Sequence, residues 1–249
     1  HAAGDLAGIK TTLEKSSAGW VINGNKCWIA YANIADYILV LARIKGTERH
    51  DGMTWVIVER GTPGCTIGRE QKMIHGHSTH EIFFDNCVVA DSQLLGEPGG
   101  GWGSGTSFLY SSRIQISARA LGIADRCLEM AIDYARDRHT FGKPLSSRQA
   151  VQWMIADSSI ELHAARLIVY DAAWRAQQGE NVIQQTAIAK TYATEMVGRV
   201  VDRAVQIHGA AGVSDETILE RCYRDVRPMR IYEGSGEAMR SVIVRGLLK

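Results

Sequence analysis

Glu97-Pro98-Gly99-Gly100-Gly101-Trp102-Gly103-Ser104-Gly105 separates two textures in the 249-residue sequence. So many glycines favour no regular element, so a linker is expected here between domains at 1–98 and 99–249. The spacing is not that of a dinucleotide-binding loop. Counted from Gly99, Ser104 stands where G-x-G-x-x-G needs its third glycine, which excludes a Rossmann reading. Upstream the apolar period is about two. Gly19-Trp20-Val21-Ile22 and Asn25-Lys26-Cys27-Trp28-Ile29 flank Asn23-Gly24, a pair suited to the positive φ of a type I′ hairpin turn. Short β-rich runs follow at Tyr37 to Ala42, Met53 to Glu59, Thr66-Ile67-Gly68 and Glu81 to Val89, with a polar loop from Lys45 to Gly52. Strands without intervening helices predict an antiparallel barrel or sandwich.

Downstream the period becomes about 3.6. Ile116, Ala120, Ile123, Cys127, Met130 and Tyr134 mark one helix face, and Val151, Met154, Ser158, Leu162, Ala165, Val169 and Ala172 a second. Ala189, Ala193, Met196, Val200, Ala204 and Ile207 mark a third, and a shorter run from Met239 to Leu248 ends the chain. Turns at Gly142-Lys143-Pro144 and Gln178-Gly179-Glu180 join them, so an antiparallel helix bundle is expected and the fold class is α+β.

Composition narrows the function. Lys plus Arg number 28 against 27 Asp plus Glu, a net charge of +1 that argues for neither nucleic acid nor an anionic membrane surface. Five scattered cysteines without a C-x-x-C pair fit neither a disulfide framework nor a zinc site and suggest a reducing compartment. No apolar run approaches the ~20 residues of a spanning helix, and the first residues lack the basic start and apolar core of a signal peptide, so a soluble protein is expected. G-x-S-x-G, H-E-x-x-H and G-x-x-x-x-G-K-[ST] are absent. His75, His77 and His80 have one acidic neighbour, Glu81, and are not assigned a metal. Arg221, Arg224, Arg227 and Arg230 recur every third residue, where ion pairing with Asp215, Glu216, Glu220 or Asp225 is the plain reading.

The chemistry is expected at Arg230-Ile231-Tyr232-Glu233-Gly234-Ser235-Gly236-Glu237. A carboxylate lies between an aromatic ring and a glycine that frees the backbone to turn, just before the last apolar run. Taken alone, Glu233 reads as a solvated turn residue. Other phrases change that reading. Asp5-Leu6-Ala7-Gly8-Ile9-Lys10-Thr11-Thr12, Asn23-Gly24-Asn25-Lys26-Cys27-Trp28-Ile29, Arg138-His139-Thr140-Phe141-Gly142-Lys143, Gln206-Ile207-His208-Gly209-Ala210-Ala211-Gly212 and Ile231-Tyr232-Glu233-Gly234-Ser235 stand in the order found in the acyl-CoA dehydrogenases, which this chain resembles over essentially its whole length. The resemblance covers that family's middle β domain and C-terminal helical domain. The family's N-terminal helical domain has no counterpart in these residues.

The resemblance implies an FAD enzyme that converts an acyl-CoA thioester to the trans-2-enoyl-CoA. Glu233 matches the base that removes the α proton while flavin N5 accepts a hydride from the β carbon. It also implies that the backbone N–H of this Glu and a flavin ribityl hydroxyl polarise the thioester carbonyl. In some branches the base comes from the first bundle helix, but around Arg113 no acidic residue is present, which leaves Glu233. Trp28 matches the aromatic that packs on the flavin, with Ile29 and Ala30 beside it. Arg138, Thr140, Phe141, Gln206, Gly209 and Ala210 match segments that reach the FAD of a neighbouring subunit, and Gln149 a further flavin contact. Ser235 and Glu237 match cofactor contacts after the base, and Tyr110, Arg113 and Gly234 the region that holds the substrate. Implied partners are electron transfer flavoprotein as acceptor and a second copy in a homodimer or homotetramer; the implied compartment is cytoplasm in a bacterium or mitochondrial matrix in a eukaryote. Two hydroxyls usual in the family are missing. Gly4 stands for a Ser on the pyrophosphate, and Ala30 for a Thr on flavin N5. The alternatives are a non-catalytic or truncated member, or a flavin oxidase or monooxygenase, relatives that lack a Glu at this position.

Overall fold

A computed structural model describes residues 4–248, and the chain forms two compact units, His1–Phe108 and Leu109–Lys249. The first contains a seven-stranded sheet. Its strands are β1 (Thr12–Ser16), β2 (Gly19–Ala30), β3 (Tyr37–Ile44), β4 (Met53–Glu59), β5 (Cys65–Lys72), β6 (Ser78–Val89) and β7 (Leu94–Leu95), in the spatial order β5-β6-β2-β1-β3-β4-β7. Alternation builds its core. Val56 and Val58 on β4, Val40 and Ala42 on β3, Ile22 on β2 and Ile82 and Phe84 on β6 point inward with Leu13, each large side chain contributing about 1.5–3 kcal/mol on burial. The α+β fold is as expected, with three corrections inside it.

The sheet is mixed and open: β1 pairs β3 in parallel while every other neighbouring pair is antiparallel. The expected hairpin at Asn23-Gly24 is not a turn. β2 runs straight through it, and the register against β6 shifts between Ile22 and Gly24, as at a β-bulge. Gly24 takes φ +131° and lies so close to the segment leading into β1 that a Cβ would sit 2.9 Å from Thr11 Cα. The Asn-Gly pair therefore serves a close backbone approach, and the hairpin turn lies at Ser17-Ala18 between β1 and β2. Finally, the glycine-rich stretch is partly helical: α1 (Gly101–Asp137) begins inside it. Low helix propensity is overridden by packing there, because a Cβ on Gly101 would meet Met53 O at 2.7 Å and one on Gly105 the Trp55 ring at 3.1 Å.

The second unit holds the rest of α1 with α2 (Gln149–Gln177), α3 (Ile183–His208), α4 (Ile218–Val226) and α5 (Gly236–Leu247). The three expected stripes form or flank one core, rich in alanines (Ala120, Ala124, Ala131, Ala165, Ala172, Ala193) that let helices approach closely. α4 was not anticipated as a separate helix. Two of the four spaced arginines lie on it and pair as the plain reading has it, Arg224 with Glu220 and Arg221 with Asp225. Opposite its buried face, α2 exposes Trp153, Ile160, Leu167 and Trp174 at intervals of seven, with Tyr170 beside them.

Candidate functional site

A short 3-10 helix, Arg227–Arg230, leads into the Tyr232-Glu233-Gly234 turn, and Ser235 caps α5 by accepting a hydrogen bond from Ala238 N at 3.3 Å. Between them the chain reverses through two left-handed residues, Glu233 at φ +56° and Gly234 at φ +97°. For Gly234 the conformation is intrinsic; a Cβ there would also lie 2.5 Å from Met239 Cε. For Glu233 it is strain, which marks the residue as held in place by its surroundings.

Those surroundings come from two helices. On α1, Ser112 Oγ donates to Glu233 Oε2 at 2.7 Å, and Arg113 Nε donates to the Glu233 carbonyl at 3.3 Å. On α3, Lys190 Nζ donates to the Gly234 carbonyl at 2.6 Å. Arg230 ties the entry of the turn to α3 through the Thr194 and Glu195 carbonyls, and Gly198 leaves room for its guanidinium. Burial pushes the Arg113 guanidinium below its ordinary pKa, opposed by Tyr110 and Glu233. Burial likewise raises the Tyr232 phenol. The Glu237 carboxyl lies below the usual carboxylate range, held by its own backbone N–H and then by the Ser235 hydroxyl. The Glu233 carboxylate thus stands on a strained turn whose carbonyls are held by buried cations.

Tyr110, Arg113, Glu233, Gly234, Ser235 and Glu237 are thus brought together. The guanidinium of Arg113 lies 5.8 Å from the Tyr110 ring centre and is buried at 8% exposure, so its contact is with the Glu233 turn. Ser112 and Lys190 were missed. A signal for Lys190 existed, since it falls on the buried phase of α3 three residues before Ala193 and seven before Val197. Ser112 carried none.

Elsewhere in this unit, Thr140 and Lys143 pair in a two-strand ribbon whose tip, Phe141 at φ +50°, is 96% exposed. Arg148 braces that tip, donating to the Thr140 carbonyl at 2.8 Å and lying 5.7 Å from the Phe141 ring centre. Arg138 and Gln149, at either side of the ribbon, are exposed. Gln206, Gly209 and Ala210 lie exposed at the C-terminal end of α3, where Gly209 ends the helix at φ +59° and Gln206 lines a cleft with Gly212, Tyr223 and Arg224. In the sheet unit Trp28 is 60% exposed at φ +61°, on the outward side of a second register shift in β2, between Lys26 and Ile29. Trp28 is therefore no core residue. Ile29 packs against the sheet core and Ala30 is exposed opposite Thr79.

A mixed sheet unit with an outward indole and a helical unit with a braced carboxylate turn define a class, and the comparisons give the family. The acyl-CoA dehydrogenase middle domain matches residues 1–87 and the acyl-CoA dehydrogenase C-terminal domain residues 99–248. The chain belongs to the acyl-CoA dehydrogenase family. It is 37% identical over 253 residues to an acryloyl-CoA reductase (NADH) of Anaerotignum propionicum, covering all of this chain and 64% of that relative, just under two thirds of its length. Butyryl-CoA dehydrogenase from Megasphaera elsdenii superposes with a TM-score of 0.94 at 36% identity, over 100% of this chain and 66% of that one. A structure described as the electron transferring flavoprotein of Acidaminococcus fermentans does so with a TM-score of 0.94 at 34% identity, over 100% and 66%.

Proposed function

We propose that this protein takes part in the FAD-dependent α,β-dehydrogenation of an acyl-CoA thioester, with Glu233 as the base for the α proton. The observation that carries the reading is the Glu233 turn: a left-handed, non-glycine carboxylate whose carbonyl and whose neighbour's carbonyl are each met by a buried cation. Ser112 keeps one carboxylate oxygen engaged, leaving the other, Oε1, to take a proton. The rigid backbone keeps the Glu233 N–H available to a thioester oxygen, which acidifies the α carbon.

Residues of both units suit a flat aromatic cofactor. Trp28 and Phe141 are each held outward on strained backbone with much of their rings exposed, an arrangement that costs both solvation and conformational energy unless a planar partner covers it. Trp28, Ile29 and Ala30 of the sheet unit would contact FAD, as would Gln149, Ser235 and Glu237, while Arg138, Thr140, Phe141, Gln206, Gly209 and Ala210 would reach the FAD of a neighbouring subunit. When bound, FAD supplies the two-electron acceptor for the hydride that leaves the β carbon. Anaerobic addition of a short acyl-CoA to the FAD-loaded protein should bleach the flavin absorbance, and a preparation that takes up no FAD would defeat the reading. The acryloyl-CoA reductase relative supports a second direction, reduction of an enoyl-CoA, for which the protonated Glu233 is the donor; reoxidation of reduced flavin by an enoyl-CoA faster than reduction by the acyl-CoA would favour it.

Three further expectations arise here. The structural relative described as an electron transferring flavoprotein supports such a protein as electron acceptor. The braced, exposed Phe141 and the apolar stripe of Trp153, Ile160, Leu167 and Trp174 on α2 support self-association, so light scattering should give at least a dimer; a monomer that still holds FAD contradicts it. At Ala30, restoring a hydroxyl as Ala30→Thr adds one hydrogen bond of on the order of 0.5–1.5 kcal/mol. The rate of flavin reduction should rise more than FAD affinity, measured by stopped flow and FAD titration on the same variant; a gain in affinity alone would mean that Ala30 only loosens cofactor packing. As to location, no helix among the described residues is long and apolar enough to cross a membrane.

A further inference from the structure

We propose that Lys190 is a positioning residue for Glu233: from inside α3 its ammonium grips the Gly234 carbonyl and fixes the peptide that aims the carboxylate. This rests on the reading of Glu233 as the base. Lys190 is fully buried, and among the described residues the other large side chains buried to that degree are apolar. Its helical neighbours at the same phase, Thr186, Ala187, Ala193, Thr194 and Val197, are buried too. A methionine or leucine would fill such a position without the several kcal/mol that desolvating a cation costs, so packing does not explain a lysine here.

The turn does explain it. Two consecutive left-handed residues form no helical ladder, and carbonyls turned into the interior must find donors. Glu233 O receives Arg113 Nε from α1, and Gly234 O receives Lys190 Nζ from α3. The reactive residue is thus clamped on both sides by cations from different helices. Groups facing Lys190 are Arg113 on α1, Glu195 on its own helix, Glu233 in the turn and Glu237 at the start of α5. Burial, and then Arg113, lower its pKa to about 8, while Glu233, Glu237 and Glu195 act in the opposite sense. The sign for stability follows. With the folded value below the ordinary 10.5, the unfolded chain binds more protons between about pH 8 and 10.5, so stability rises with pH across that window. At neutral pH the buried ammonium therefore costs stability, as expected of a group kept for position.

The test begins without cofactor. The sequence has two Gly-Ser peptide bonds, Gly103-Ser104 and Gly234-Ser235, so carbonyl-13C glycine with 15N serine labels only these two. One of the two carbonyl signals should shift with a midpoint near pH 8, and Lys190→Met should abolish that shift. Two signals flat from about pH 6.5 to 11 in the native protein, a range that includes the ordinary lysine value of 10.5, overturn the proposal, whether or not the variant folds. In the FAD-loaded protein, Lys190→Met should lower kcat about 10²-fold, the scale of a small misplacement of a reacting group, with KM changed by less than about threefold. Combined with Glu233→Gln it should add no further loss, because Lys190 acts only through Glu233. Losses that multiply, or a lowered melting temperature with unchanged kcat, make Lys190 structural and overturn the inference. An unchanged rate in Glu233→Gln alone would instead remove the base assignment, and the carbonyl titration would still report on the clamp.

Discussion

Glu233→Gln is expected to reduce flavin reduction by acyl-CoA by about 10² to 10⁴-fold, the usual loss when a general base is removed, while FAD and ligand binding persist. The amide is nearly isosteric and can still accept from Ser112 Oγ, which lies 2.7 Å from Glu233 Oε2 in the native turn. The clamps on the Glu233 and Gly234 carbonyls touch only backbone, so Arg113 and Lys190 keep their partners in the variant. Geometry is therefore preserved and only proton affinity is lost. Rapid-mixing kinetics with FAD-loaded protein measure the effect directly. A rate within a factor of a few of the parent would mean that another group takes the α proton, and circular dichroism matching the parent would show that the comparison is fair.

The second large effect is on stability. Gly19→Ala should destabilise the sheet unit by about 3 kcal/mol, combining a left-handed non-glycine residue with overpacking against backbone. Gly19 sits at φ +127° where β2 leaves the hairpin turn, and a Cβ would lie 2.3 Å from Val89 O and 3.2 Å from Val89 C. Neither atom belongs to a side chain that can swing aside, and moving Val89 breaks its pairing with Trp20. Gly61→Ala is the control. Its φ is +81° but nothing lies within 4 Å of the added carbon, so it should lose only the conformational part, about 1 kcal/mol. Urea unfolding of the two variants separates contact from strain; equal losses would mean that β2 and β6 slide apart at no cost.

Much of this molecule was written in local sequence. The change of apolar period near the glycine-rich stretch announced strands followed by helices, because side-chain alternation and the 3.6-residue repeat are imposed by the backbone itself. Glu233 stood out by its phrase, and Ser235 as a helix cap needs only the residues beside it. Tertiary structure decided the rest. Asn23-Gly24 has the same local chemistry in a hairpin turn and in a bulge, and only the closeness of Thr11, just before β1, selects the bulge. Gly101 to Gly105 would not be helical alone, and contacts with Met53 and Trp55 make them so. The parallel pairing of β1 with β3 joins residues about thirty positions apart, a register that no short window encodes. The same holds at the site. Ser112 and Lys190 meet the Glu233 turn from 121 and 44 residues away, and a hydrogen bond across such distances depends on how helices pack, which is a property of the whole core rather than of any phrase.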